Sequence, residues 1–189
     1  MITENTTLED LASIVSDALE RAGIVATLSG GAAVSIYTEN RYVSEDLDFV
    51  TVALVNELKM ALEPIGFSPT GRPRLSVFEH PNTRWYIEFP PAPLSFGGTY
   101  IDPSECAQIE VGLGKLRIIT PTQSVMDRLI AATAWKEQQS LEQALLVAEH
   151  QHKNIDWAEL DLWVSNEGIT SNREIVEFYR LIGRPLLGT

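Results

Sequence analysis

Residues 24–52 decide how the chain folds. They run Ile24-Val-Ala-Thr-Leu28, then Ser29-Gly30-Gly31, then Ala32-Ala-Val-Ser-Ile-Tyr-Thr38, and after a polar connection Asp46-Leu-Asp-Phe-Val-Thr-Val52. The first run is short and apolar, as a buried strand is, and the last alternates acid with apolar at period two, as a half-buried strand does. Between them the small-residue stretch predicts a helix over residues 32–38, entered through a glycine turn. Glycines at such a corner let a ligand approach the backbone, and the N–H groups at a helix start form an anion site without a charged side chain. Asp46 and Asp48 lie two apart on a strand, so their side chains leave the same face and can converge on one cation. A hard divalent cation such as magnesium prefers such oxygen ligands and keeps positions for substrate phosphates.

Outward from this centre the pattern stays regular. Upstream, Thr7-Leu-Glu-Asp10 reads as a variant capping box, and Leu8, Leu11, Ile14, Val15 and Leu19 recur at helical spacing, predicting a helix over residues 8–21 that Gly23 ends. Downstream, residues 55–62 are helical in pattern and stop at Pro64 and Gly66. Strands are expected at Leu75-Ser-Val-Phe78, Trp85-Tyr-Ile-Glu-Phe89 and Leu116-Arg-Ile-Ile119, joined by loops containing Pro69, Pro73, Pro81, Pro90, Pro91 and Pro93. From Pro121, suited to a first helical turn, the pattern is helical: Val125, Leu129 and Ala132 share a face, and further helices are expected over about 140–150, 156–164 and 171–182. The expected plan is an α/β (α+β) core over residues 1–119 and a helical C-terminal part over 120–189 packed on it.

A third acid on a neighbouring strand would let the site hold two metal ions. Glu88, in Arg84-Trp-Tyr-Ile-Glu-Phe-Pro90, is set between Ile87 and Phe89 as an acid projecting from an otherwise buried strand. Glu110, in Gln108-Ile-Glu-Val111, has a similar context and is the rival. The bland alternative for Glu88 is a structural ion pair with Arg84 or Arg74.

Composition narrows the class. With 189 residues, 44% hydrophobic and 21% charged, and a mean hydropathy of -0.01, the chain is long enough and apolar enough to bury a core. A single cysteine, Cys106, excludes an internal disulfide and reads as structural rather than nucleophilic. The N-terminal stretch lacks a basic and an apolar signal region, and no run of about 18 apolar residues occurs, so a cytoplasmic protein without membrane contact is expected. Fourteen Lys and Arg against 26 Asp and Glu give a net charge of -12, which disfavours unspecific nucleic-acid binding. Local basic candidates are Arg72, Arg74 and the stretch Lys115 to Arg117. His80, His150 and His152 are not spaced as a zinc site. Trp85, Trp135, Trp157 and Trp163 read as packing anchors.

Gly30-Gly31, the intervening loop, Asp46-x-Asp48 and the later strand acid together resemble the signature of the DNA-polymerase-β-like nucleotidyltransferase superfamily, over roughly residues 24–90. The 14 residues between Gly31 and Asp46 make a slightly longer spacer than in the shortest members. The resemblance implies a mixed sheet flanked by helices and a metal-dependent transfer of a nucleotidyl group from an NTP to an acceptor hydroxyl. It places Ser29, Gly30 and Gly31 at the triphosphate and makes Asp46, Asp48 and Glu88 ligands of Mg2+, as one ion or two, with Glu88 also the catalytic acid. The acceptor stays open among a small molecule, a protein and an RNA end. Ile119-Thr-Pro-Thr-Gln-Ser-Val-Met-Asp-Arg128 and Leu141-Glu-Gln-Ala144 resemble the C-terminal portion of small bacterial nucleotidyltransferase-like proteins, some of which are toxins of toxin–antitoxin or abortive-infection systems. For the helix lysine usual in those toxins, Lys136 is available. The alternative function is a catalytically inactive binding protein of this fold or a toxin–antitoxin component, with a homodimer or an antitoxin as partner.

Overall fold

A computed structural model describes residues 1–70, 76–134 and 138–186. Arg72, Arg74, Leu75, Trp135 and Lys136, which the sequence brought into consideration, lie outside the described residues.

Helix α1, Leu8–Arg21, begins where the sequence places it: the Thr7 hydroxyl accepts the Asp10 N–H at 3.1 Å, and Leu8, Leu11, Val15 and Leu19 form its buried face. Strand β1, Thr27–Ser29, is shorter than the apolar run 24–28 suggests. Thr27 pairs with Val50, where its antiparallel neighbour β2, Asp46–Val50, ends, so earlier residues have no ladder partner there. The Val25 carbonyl accepts from the Thr51 hydroxyl at 2.7 Å instead, and the Val25 side chain stays exposed. Helix α2, Gly30–Tyr37, follows β1 without a loop, so the two glycines are its first turn rather than a lead-in to it. Helix α3, Val55–Leu62, has the predicted bounds.

Next come β3, Ser68–Pro69, β4, Ser76–Glu79, β5, Tyr86–Phe89, the small hairpin β6, Ser95–Phe96, and β7, Thr99–Tyr100, then β8, Ala107–Val111, and β9, Gly114–Ile118. Four helices follow among the described residues: α4, Pro121–Ala134, α5, Gln138–His150, α6, Trp157–Asn166, and α7, Arg173–Leu181. Among the described residues a seven-stranded mixed sheet has the order β3-β4-β5-β2-β1-β9-β8. Strand β2 runs antiparallel to β1 and parallel to β5. Pro69, which cannot donate to a ladder, occupies the outermost strand, where a missing N–H costs least.

The chain divides into two compact units. The first comprises Met1–Ala33, Val43–Leu94 and Ile101–Ile119, and the second comprises Val34–Tyr42, Ser95–Tyr100 and the residues from Thr120 on. The first unit holds the large sheet, with α1 packed on β8, β9 and α3. Its core contains an aromatic cluster in which Phe89 meets Phe49 at 6.4 Å and Phe78 edge-on at 5.6 Å. The β8–β9 hairpin turns at Gly112, φ +55°, where a Cβ would lie 2.6 Å from the α1 backbone, and the Leu113 N–H donates to the Ser13 hydroxyl at 3.1 Å.

In the second unit α4 opens on a reciprocal cap: Thr120 accepts the Gln123 N–H at 3.1 Å, and Gln123 accepts the Thr120 N–H at 2.8 Å. Helices α4 and α5 pack against each other, and Val125 and Leu129 of α4 and Ala144 and Ala148 of α5 are buried. Helix α6 holds the β6–β7 hairpin. The Trp163 indole N–H donates to the Phe96 carbonyl at 3.2 Å, and Glu167 accepts from the Gly98 N–H at 2.9 Å and the Thr99 hydroxyl at 2.6 Å. Trp163 is thus the packing anchor expected. Among the described residues no helix is long and apolar enough to cross a membrane.

Candidate functional site

The alternation in β2 sends Leu47 and Phe49 into the core and leaves Asp46 and Asp48 half-buried on the opposite face. Strand β5 has the same phase, with Ile87 and Phe89 buried and Glu88 half-buried. Because β2 and β5 are parallel and in register, with Asp46 opposite Tyr86 and Asp48 opposite Glu88, the acids of both strands meet on one face. One carboxylate oxygen from each of Asp46, Asp48 and Glu88 lies within 4.8 Å of the other two. Like charges at about 4 Å repel by roughly 1 to 4 kcal/mol per pair for effective dielectrics of about 80 to 20, and a shared divalent cation reverses that sign.

The glycine corner stands directly beside this cluster. Gly30 has φ +64°, and a Cβ built on it would lie 2.1 Å from Asp48 Oδ2. The Asp48 carboxylate therefore rests against a bare Cα, in space that any side chain at position 30 would fill. Ser29, buried, pairs with Asp48 across the β1–β2 ladder, and its hydroxyl donates to the Asp48 carbonyl at 3.4 Å. Gly31 is also buried, in the first turn of α2. An all-oxygen donor set of three carboxylates, beside the backbone N–H groups of a helix start, matches the demands of a hard cation and of an anionic ligand respectively.

Glu110, the rival third acid, does not join the cluster. It sits on the exposed side of β8, the outer strand of the sheet, opposite Lys115. In the stretch from Lys115 to Arg117, the Arg117 guanidinium donates to the Pro103 carbonyl at 2.8 Å. Arg84, considered as a partner for Glu88, lies with its guanidinium 4.7 Å from the centre of the Trp85 ring. Among the described residues the histidines enter no group of potential metal ligands. Cys106 is buried, and burial pushes its thiol above the ordinary cysteine range, as suits a structural residue.

Ser44, which the sequence reading passed over, touches one of the acids, and Trp85, read there as a packing anchor, touches Ser44. The Ser44 hydroxyl donates to Asp46 Oδ1 at 3.0 Å, and the Trp85 indole N–H donates to the Ser44 carbonyl at 3.2 Å. A serine two residues before an acid is a visible signal for the first contact; the second depends on strand register and has no local signal.

The fold has counterparts among solved structures. The chain is similar to an antigenic nucleotidyltransferase-like protein from Paracoccidioides brasiliensis, at 12% identity with a TM-score of 0.60, over 95% of each chain. It is similar to the lincosamide antibiotic adenylyltransferase LnuA, solved with lincomycin bound, at 16% identity and a TM-score of 0.51, over 75% of this chain and 98% of that one. The antibiotic-resistance factor ANT(2'')-Ia matches at 14% identity and a TM-score of 0.53, over 89% and 94%. No family model matches the sequence, and no curated protein does. At these identities the likeness is one of architecture: the chain shares the fold of these nucleotidyltransferase-type structures, which agrees with the fold that the motif's resemblance implies.

Proposed function

We propose that this protein transfers a nucleotidyl group from an NTP to a hydroxyl of a small-molecule acceptor, with a divalent cation, Mg2+ as one ion or two, held by Asp46, Asp48 and Glu88. The observation that carries the reading is the meeting of those three carboxylates with the Gly30 corner on one face of the sheet. In the reaction the acceptor oxygen forms a bond to the α-phosphorus while the bond to the pyrophosphate oxygen breaks, and pyrophosphate leaves. The cation supplies charge neutralisation for the phosphates and for the developing oxyanion. Ser29, Gly30 and Gly31 take the triphosphate on backbone N–H groups and exclude side-chain bulk from its path. Asp46 and Asp48 fix the ligand geometry from a rigid central strand, and Glu88, on the adjacent strand, receives the proton of the attacking hydroxyl.

Of the three acceptor classes, a small molecule is best supported. A net charge of -12 opposes the approach of a phosphate backbone, and LnuA, an antibiotic adenylyltransferase solved with lincomycin bound, shares the fold.

Replacing both Asp46 and Asp48 by Asn keeps the size of each side chain but removes two charges from the proposed ligand set. Incubation with labelled ATP, CTP, GTP and UTP and a small-molecule extract should label an acceptor with the wild type. The double variant should lose that labelling by at least about a thousandfold, or ~4 kcal/mol of transition-state stabilisation, with its thermal unfolding retained. Unchanged turnover in the double variant removes the assignment.

A further inference from the structure

We infer that Ser44, anchored by Trp85, is a positioning residue that holds the Asp46 carboxylate ready for the cation; this rests on the proposed metal site. Ser44 is 2% exposed and stands in the loop just before β2. Its side chain and backbone are committed in different directions: the hydroxyl donates to Asp46 Oδ1 at 3.0 Å, and the carbonyl accepts the Trp85 indole N–H at 3.2 Å. Trp85 immediately precedes β5, the strand that carries Glu88, and its ring is faced by the Arg84 guanidinium at 4.7 Å. The entries to the two acid-bearing strands are thereby tied together two residues before Asp46 and one before Tyr86, where their register begins.

This arrangement has a physical consequence for the acid. A carboxylate at the first residue of a strand has a free χ1 and a broad χ2, and fixing them at the moment of cation binding costs part of the affinity. A buried hydroxyl bonded to one oxygen sets that orientation in advance and leaves the remaining lone-pair positions for a cation. The indole bond in turn stops the serine from following its own backbone away from the site. Outer hydrogen bonds of this kind are worth about ten- to a hundredfold in metal affinity.

The test is Mn2+ binding to the full chain without nucleotide, read as free Mn2+ by electron paramagnetic resonance, so that it does not depend on turnover. Ser44→Ala should weaken Mn2+ binding about tenfold or more. Trp85→Phe, which keeps a ring and removes the N–H, should weaken it by a smaller factor in the same direction. Ser44→Thr, which keeps the hydroxyl, should restore affinity toward the wild type. In turnover assays Ser44→Ala should raise the KM for metal while leaving kcat at saturating metal near that of wild type, a split that general loosening would not produce. Should Ser44→Ala not fold, Trp85→Phe carries the test alone. Wild-type affinity in Ser44→Ala, or in Trp85→Phe where that variant stands alone, overturns the inference and leaves the metal site standing. If the wild type binds no Mn2+, or binds it as well after Asp46→Asn, the metal site itself falls and the inference with it.

Discussion

Gly30 is constrained twice over. Its φ of +64° and the 2.1 Å separation between a built Cβ and Asp48 Oδ2 are independent reasons for glycine, one of backbone and one of space. Gly30→Ala should destabilise the protein by about 1–2 kcal/mol for the left-handed backbone alone, and displacement of the Asp48 carboxylate should weaken divalent-cation binding besides. Denaturant unfolding and metal titration of the same variant check both parts; a variant as stable and as avid as wild type would mean that the corner relaxes without cost. Residue by residue, the sequence was most informative where the signal is local. The alternation in Asp46-Leu47-Asp48-Phe49 gives the shared face of the acids directly, because strand geometry has a period of two. The choice between Glu88 and Glu110 could not be made that way. Both follow an isoleucine and precede an apolar residue, and only register beside β2 separates them. The bond from Trp85 to Ser44 spans 41 residues and was invisible for the same reason.

At the scale of elements, the helices were legible from caps and stops, since Thr7, Pro121, Gly23 and Gly183 act on their own neighbours. The shortest strands were less so: β3, β6 and β7 are two residues long, too short for alternation to register. What fastens one helix to the next was also hidden. The Tyr179 hydroxyl on α7 donates to Asp161 Oδ1 on α6 at 2.6 Å, with both residues buried. Burial, and then the neighbouring Asp161 carboxylate, push the phenol well above its ordinary value, so the folded state holds it protonated. Because the folded pKa is raised, the stabilisation is complete below the unfolded value of about 10 and is lost as pH rises through the higher folded value. Tyr179→Phe, which takes this donor away from the buried Asp161, should cost about 1–3 kcal/mol at neutral pH. That difference from wild type should shrink above pH ~10, because there the unfolded wild type sheds the phenol proton that its folded state still holds. Urea unfolding at neutral and alkaline pH decides it; a difference that grows with pH would contradict the assigned donor.

Across the whole molecule, charge and fold point the same way. An acidic surface with 26 Asp and Glu makes a lone acidic cluster unremarkable by itself, and the cluster gains meaning from its position on adjacent parallel strands beside a backbone corner. The central claim is that this position binds a metal–nucleotide complex. Calorimetric titration of the full chain with each NTP, with and without Mg2+, tests it most directly. Binding of at least one NTP below millimolar concentration, dependent on Mg2+ and lost in the Asp46→Asn, Asp48→Asn variant, is the expected result. Failure of every NTP to bind below millimolar concentration with Mg2+ present, or equal binding by the double variant, would contradict it.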